Sequence, residues 1–134
     1  MEKSDFQFSN PFLTSLEFRI NTEFDKEDSE SGEINVTNSF SVNVKKSATL
    51  NEALVTLVID INKDQMDSPF YLRAEMSALF EWNENIKGAL LESMLSQNAP
   101  ALLLAYARPI IANITNSSPL PAYDIPFFNF QKTP

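Results

Sequence analysis

The side chains in this chain that could do chemistry are carboxylates and aromatics, because the two residue types that most often carry catalysis are absent. Among 134 residues there is no cysteine and no histidine. Without Cys there is no thiolate nucleophile, soft metal ligand or disulfide. Without His there is neither the commonest general base near neutral pH nor the commonest transition-metal ligand. A cysteine-free chain suits a reducing compartment, and the opening Met1 to Phe6 lacks a basic region followed by an apolar run. The expectation is a cytoplasmic protein.

The carboxylates do not assemble into a catalytic pattern. Asp60 and Asp64 could act as an acid and base pair, but they fall at a strand end and in a turn, where charges are expected anyway. Asp25, Asp28, Glu30 and Glu33 faintly suggest a calcium loop. They lack its alternating ligand spacing, central Gly and terminal Glu, so the segment reads as a solvated loop. With two glycines in the whole chain there is no phosphate-cradling loop and no nucleophile elbow. The sequons at Asn35, Asn113 and Asn116 lie in a strand and at a helix end, and are discounted. No enzyme, cofactor or metal is expected.

Eighteen acidic against ten basic side chains give a formal charge of -8, which repels nucleic acid and favours encounter with cationic stretches of other chains. The apolar content, 43% with eleven Phe, is ample for a core and leaves a surplus. Tyr71, Phe80, Trp82, Tyr106, Tyr123, Phe127 and Phe128 could line a groove for diverse apolar side chains, since aromatic walls make few geometric demands. The ordinary alternative for each is core packing.

The elements that must position these residues are legible from periodicity. Alternation at Leu16, Phe18 and Ile20 predicts a first strand, and Thr22 to Glu33 a polar loop. Ile34, Val36, Phe40, Val42 and Val44 predict a second strand, interrupted at Asn38 and ended by Lys45-Lys46-Ser47. Ala53, Val55, Leu57, Ile59 and Ile61 predict a third, with Leu54 and Val58 suggesting cover on both faces. The longest run, Phe70 to Trp82, predicts a fourth, and four strands in succession favour an antiparallel meander.

Beyond Asn83 to Asn85, a cap candidate, Ile86, Leu90 and Met94 predict a short helix. A second helix is expected to start at Asn98-Ala99-Pro100 and to be apolar around nearly its whole circumference through Ile114. Such a helix needs cover on several sides, which predicts oligomerisation, and Pro109 should bend or break it. Arg108 and two prolines interrupt the apolar run, so no membrane insertion is expected. The prolines from Pro119 to Pro126 predict an extended, aromatic tail. The expected organisation is a single α+β domain: strands over about 6–82, helices over about 84–117 and the tail over 118–134. A four-stranded antiparallel sheet packs with a long helix in the C-terminal half.

Several strings resemble the SecB family of protein-export chaperones. Pro100-x-Leu102-Leu103-x-x-Tyr106-Ala107-Arg108 is similar to the family's main helix, from which Pro109 departs. Pro121-x-Tyr123-x-Ile125 and Asn129-Phe130 resemble its proline-containing connector, and Phe6-Gln7-Phe8 with Leu16-Glu17-Phe18 its first strand. The resemblance implies a dimer of dimers built through the helices. It implies ATP-independent holding of unfolded or incompletely folded polypeptides, with Leu72, Tyr106 and Tyr123 favoured as peptide contacts alongside Tyr71, Phe80, Trp82 and Phe127. The residues given, up to Pro134, offer no match to the family's second C-terminal helix and zinc-binding tail, so the expectation is a SecB-like chaperone working apart from the SecA motor. A rival expectation is a structural or regulatory protein of this fold whose groove is filled by its own tail, Pro119 to Phe130.

Overall fold

A computed structural model describes residues 2–24 and 35–131. The acidic segment with Asp25, Asp28, Glu30 and Glu33 lies outside the described residues, as do Ile34 and residues 132–134. Five strands form one antiparallel sheet: β1 (Phe6–Phe8), β2 (Phe12–Ile20), β3 (Asn38–Lys46), β4 (Glu52–Ile61) and β5 (Phe70–Trp82). The first two are one strand interrupted. Both pair with β5, and across the gap Ser9 still donates its backbone N–H to Leu79 O and accepts the Leu79 N–H through its hydroxyl. Pro11, which has no N–H to offer a ladder, sits at the break. A bulge between Leu13 and Ser15 then turns the Thr14 hydroxyl onto Glu75 O.

Only β3, β4 and β5 form the expected meander. The first strand pairs with the last, placing β2 and β3 on opposite edges of the sheet. Ile20 ends beside Phe70 and Asn38 begins beside Ile61, so the two ends of the β2–β3 connection stand three strand spacings apart, about 14 Å. Asn62 pins its far end. In left-handed backbone (φ 60), which Asn tolerates, its wholly buried amide accepts from the Thr37 N–H and donates to Phe70 O.

The helical segment is continuous: α1 (Gly88–Ser93), a π turn (Met94–Asn98) and α2 (Ala99–Asn116) follow without a break. Two separate helices were expected because Pro100 looks like a start. Instead Asn98 has helical backbone and makes no side-chain cap, and the Ala99 N–H reaches back to Met94 O. That wider turn accommodates a proline that cannot donate to Ser96. Nor does Pro109 break α2. It faces outward next to exposed Ala105, whose freed carbonyl water can satisfy. The helix starts at Gly88, whose positive φ of 62° favours glycine, and Lys87 rather than Asn83 or Asn85 holds the cap position.

The core lies between α2 and one sheet face. Val55, Leu57, Ile59 and Ile61 of β4 and Leu72, Ala74, Met76, Ala78 and Phe80 of β5 meet Leu103, Leu104, Ala107 and Ile111. Each large apolar side chain buried this way stabilises by about 1.5–3 kcal/mol. The opposite face carries Glu17, Arg19, Tyr71, Arg73, Glu75 and Asp60. Expected cover on both faces of β4 is only partial there: Val58 is buried while Leu54 is exposed. Asp60 is nearly buried there, bonded by both oxygens to the Arg73 guanidinium (3.2 and 3.0 Å) and by one to the Tyr71 hydroxyl (3.3 Å).

Candidate functional site

The tail builds the site. Past Ser117 its prolines keep it out of the helix, and it turns back along α2 toward β3. Thr115, buried near the end of α2, accepts the Tyr123 backbone N–H at its hydroxyl (2.7 Å). The Tyr123 hydroxyl donates to Asn38 at the start of β3 (3.0 Å), and its ring lies 6.1 Å from that of Phe70. About two turns earlier on the helix, Arg108 Nε donates to Ile125 O (2.6 Å), and Ile125 itself is wholly buried in the core cluster. Tail and helix are thus joined at two points, and Tyr123 bridges to the sheet.

Beyond Pro126 the attachment changes character. Phe128 and Phe130 set their rings 4.7 and 5.7 Å from Phe40 of β3, and Phe127 lies over the Arg108 guanidinium at 4.1 Å. Phe127 remains 73% exposed and Phe128 38%. Among the described residues no hydrogen bond joins Pro126 to Phe130 to the body of the molecule. The chain's own extended segment thus fills a groove between α2 and edge strand β3, meeting Arg108 on one side and Phe40 on the other.

The residues singled out from sequence scatter around this groove. Tyr123 and Phe127 belong to its occupant. Tyr106 is exposed on α2, edge-on to Phe8 of β1 at 6.1 Å. Trp82 is half-buried at the other end of the sheet, stacked on Phe6 at 6.5 Å. Leu72 and Phe80 are core residues with essentially no exposed surface. Tyr71 is on the opposite sheet face, beneath the Arg19 guanidinium, where burial and then the Asp60 carboxylate push its phenol above the ordinary tyrosine value. A cleft of about 570 Å³ opens beside it at the end of the sheet, lined by Arg19, Lys63, Met66, Phe70 and Tyr71 among others, with no tail residue in its lining.

Two residues of the groove were not singled out. Phe40 is its aromatic wall and Arg108 its clamp on the tail backbone. The signal for Phe40 was present: an aromatic in the helix-facing register of a strand. Its edge position was not legible. A second apolar surface runs along β1 and β2. Register puts Phe8, Leu16 and Ile20 on the helix-covered side of the sheet, yet all three stay exposed, Phe8 meeting α2 only through the edge-on ring of Tyr106.

The sheet order, the long continuous helix and the extended connector define an α+β fold of SecB-like type. The solved structure of Mycobacterium tuberculosis Rv1957, a SecB-like chaperone in complex with a ChAD peptide from the Rv1956 HigA1 antitoxin, matches with a TM-score of 0.71. Sequence identity is 14%, over 93% of this chain and 88% of that one. A Streptococcus agalactiae protein of unknown function matches with a TM-score of 0.50 at 12% identity, over 91% and 97% of the two chains. No family model matches the sequence, and no curated protein matches it. At these identities the likeness establishes the fold.

Proposed function

We propose that this protein is an ATP-independent holdase that binds unfolded or incompletely folded polypeptides. The observation that carries the reading is the groove between α2 and β3, which accommodates an extended aromatic segment through ring contacts and a single backbone carbonyl bond. Such contacts ask little of the bound sequence and suit many clients held weakly. A SecB-like neighbour solved with an antitoxin peptide supports the same class of ligand. Tyr106, Tyr123 and Trp82 are the accessible members of the proposed contact set, together with Phe40, while Phe127 belongs to the tail segment that lies there now. Leu72 and Phe80 would act from beneath, by shaping the sheet.

The exposed residues Phe8, Leu16 and Ile20 of the first strands form the surface we assign to self-association, as a homo-oligomer of the dimer-of-dimers kind, in the cytoplasm. Among the described residues no helix is long and apolar enough to cross a membrane. The test is light scattering of a chemically denatured protein diluted into buffer without nucleotide. The holdase should suppress turbidity in proportion to its concentration, and unchanged turbidity at stoichiometric excess would overturn the proposal.

One observation favours a second reading. Because Phe128 and Phe130 already cover Phe40, the fold could serve a structural or regulatory role with its groove permanently filled. An apolar dye that fluoresces weakly on the native protein, with no suppression of aggregation, would favour that role.

A further inference from the structure

The tail has two halves with different kinds of attachment, and the difference points to its role. Leu120 to Ile125 is integral: it is tied to Thr115, Asn38 and Arg108 by hydrogen bonds and carries one wholly buried side chain. Phe127 to Phe130 is held by ring contacts without a hydrogen bond to the body: Phe127 and Phe128 are exposed on Arg108 and Phe40, and Phe130 is half-buried beside Phe40 at the margin of the core. A segment attached by hydrogen bonds and core burial leaves with the fold, whereas one held by surface rings can leave alone.

We infer that Phe127 to Phe130 is a displaceable plug, an intramolecular stand-in for the client that exposes Phe40 when a client takes its place. This rests on the holdase reading and deepens it in two ways. First, it assigns the preferred client chemistry. The groove favours an extended segment with aromatic side chains two positions apart, as Phe128 and Phe130 are, so that both meet Phe40. A preceding position should offer an apolar ring to the face of Arg108. Acidic neighbours in the client are disfavoured by the chain's charge of -8. Second, it makes occupancy competitive: while the plug is closed, apparent client affinity falls by the fraction of molecules that are open.

The experiment uses the full chain and two probes: a fluorescent peptide copying residues 121–131, and a reduced, carboxymethylated protein that cannot refold. The double substitution Phe128→Ala with Phe130→Ala removes the rings that close the groove and leaves Phe40 and the anchored half intact. Binding of both probes should tighten by about tenfold, the scale set by losing two aromatic contacts. Equal affinity overturns the plug. Weaker affinity also overturns it, since the rings would then be part of the client's own wall. No binding of either probe by parent or variant overturns the holdase reading instead. An independent measurement spares the aromatics: Gln131→Cys, at an exposed position in a chain with no other thiol, carries a fluorophore. Client binding should lower the label's anisotropy as the plug is released. An unchanged or higher anisotropy with client bound would show the plug staying in place.

Discussion

Replacing Ile125 with alanine separates a tail that is part of the fold from one that merely rests on it. Ile125 has no exposed surface and belongs to the same core cluster as Leu103, Leu104 and Ile111. The substitution removes three side-chain carbons, about 2.4 kcal/mol of transfer free energy at about 0.8 per carbon, and leaves a cavity that relaxes incompletely. We expect a loss of about 3 kcal/mol, a large part of the roughly 5–15 kcal/mol available to a domain of this size. Urea unfolding followed by the single tryptophan, Trp82, reads it directly, because Trp82 is half-buried against Phe6 and far from the substitution. The midpoint should fall by about 1–3 M at typical denaturant sensitivity. Phe127→Ala is the internal control. Its exposed ring contributes a cation–π contact of about 0.5–1 kcal/mol and little burial, so its midpoint should move much less. A loss below about 1 kcal/mol for Ile125→Ala, or one no larger than for Phe127→Ala, would refute the division of the tail into anchored and loose halves.

Three further outcomes follow from the same contacts. Burial and the Asp60 carboxylate raise the Tyr71 phenol above its ordinary 10.0, so the folded state holds this proton more tightly than the unfolded chain does. Its contribution is complete below about pH 10 and is lost as pH rises through the folded value; Tyr71→Phe should flatten the alkaline fall of the urea midpoint, and parallel slopes would contradict this. Ser77 is buried with its hydroxyl 2.8 Å from that of Thr56, so Ser77→Ala, which strands that partner, should cost about 1 kcal/mol in the same melt, and a neutral result would mean water replaces it. Gly88→Ala meets no atom within 4 Å but keeps a φ of 62°, so it should cost about 1 kcal/mol through backbone strain alone, and a stabilising result would show that the helix start had shifted.

Much of the fold was legible because its periodicities are undiluted. Phe70 to Trp82 alternates over its full length and is a strand over those residues, with Leu72 to Phe80 turned inward as the even positions require. The prolines of the tail forbade a helix, and the tail is extended. The chemistry that composition excluded needed no structure at all. The site was harder to read, since an aromatic of period two looks the same whether it is core or groove. Phe80 is buried in the core, Tyr71 sits on the opposite sheet face, and Phe40, equally regular in its strand, lies at an edge where the tail covers it.

What the sequence by itself determined is which faces are apolar and where the backbone can turn, because these depend on a residue and its near neighbours. Only the tertiary structure decided that the first strand pairs with the last, that Pro100 is taken into a continuous helix through a π turn, and that the tail closes over Phe40. Period two assigns a face and not a neighbour, so either edge of the meander would have satisfied β2 equally well in isolation. The choice falls to packing between segments far apart in the chain. Thus Asn62 fixes Thr37, Asn38 receives Tyr123, and Arg108 holds Ile125, each a bond between segments that the local sequence does not bring together.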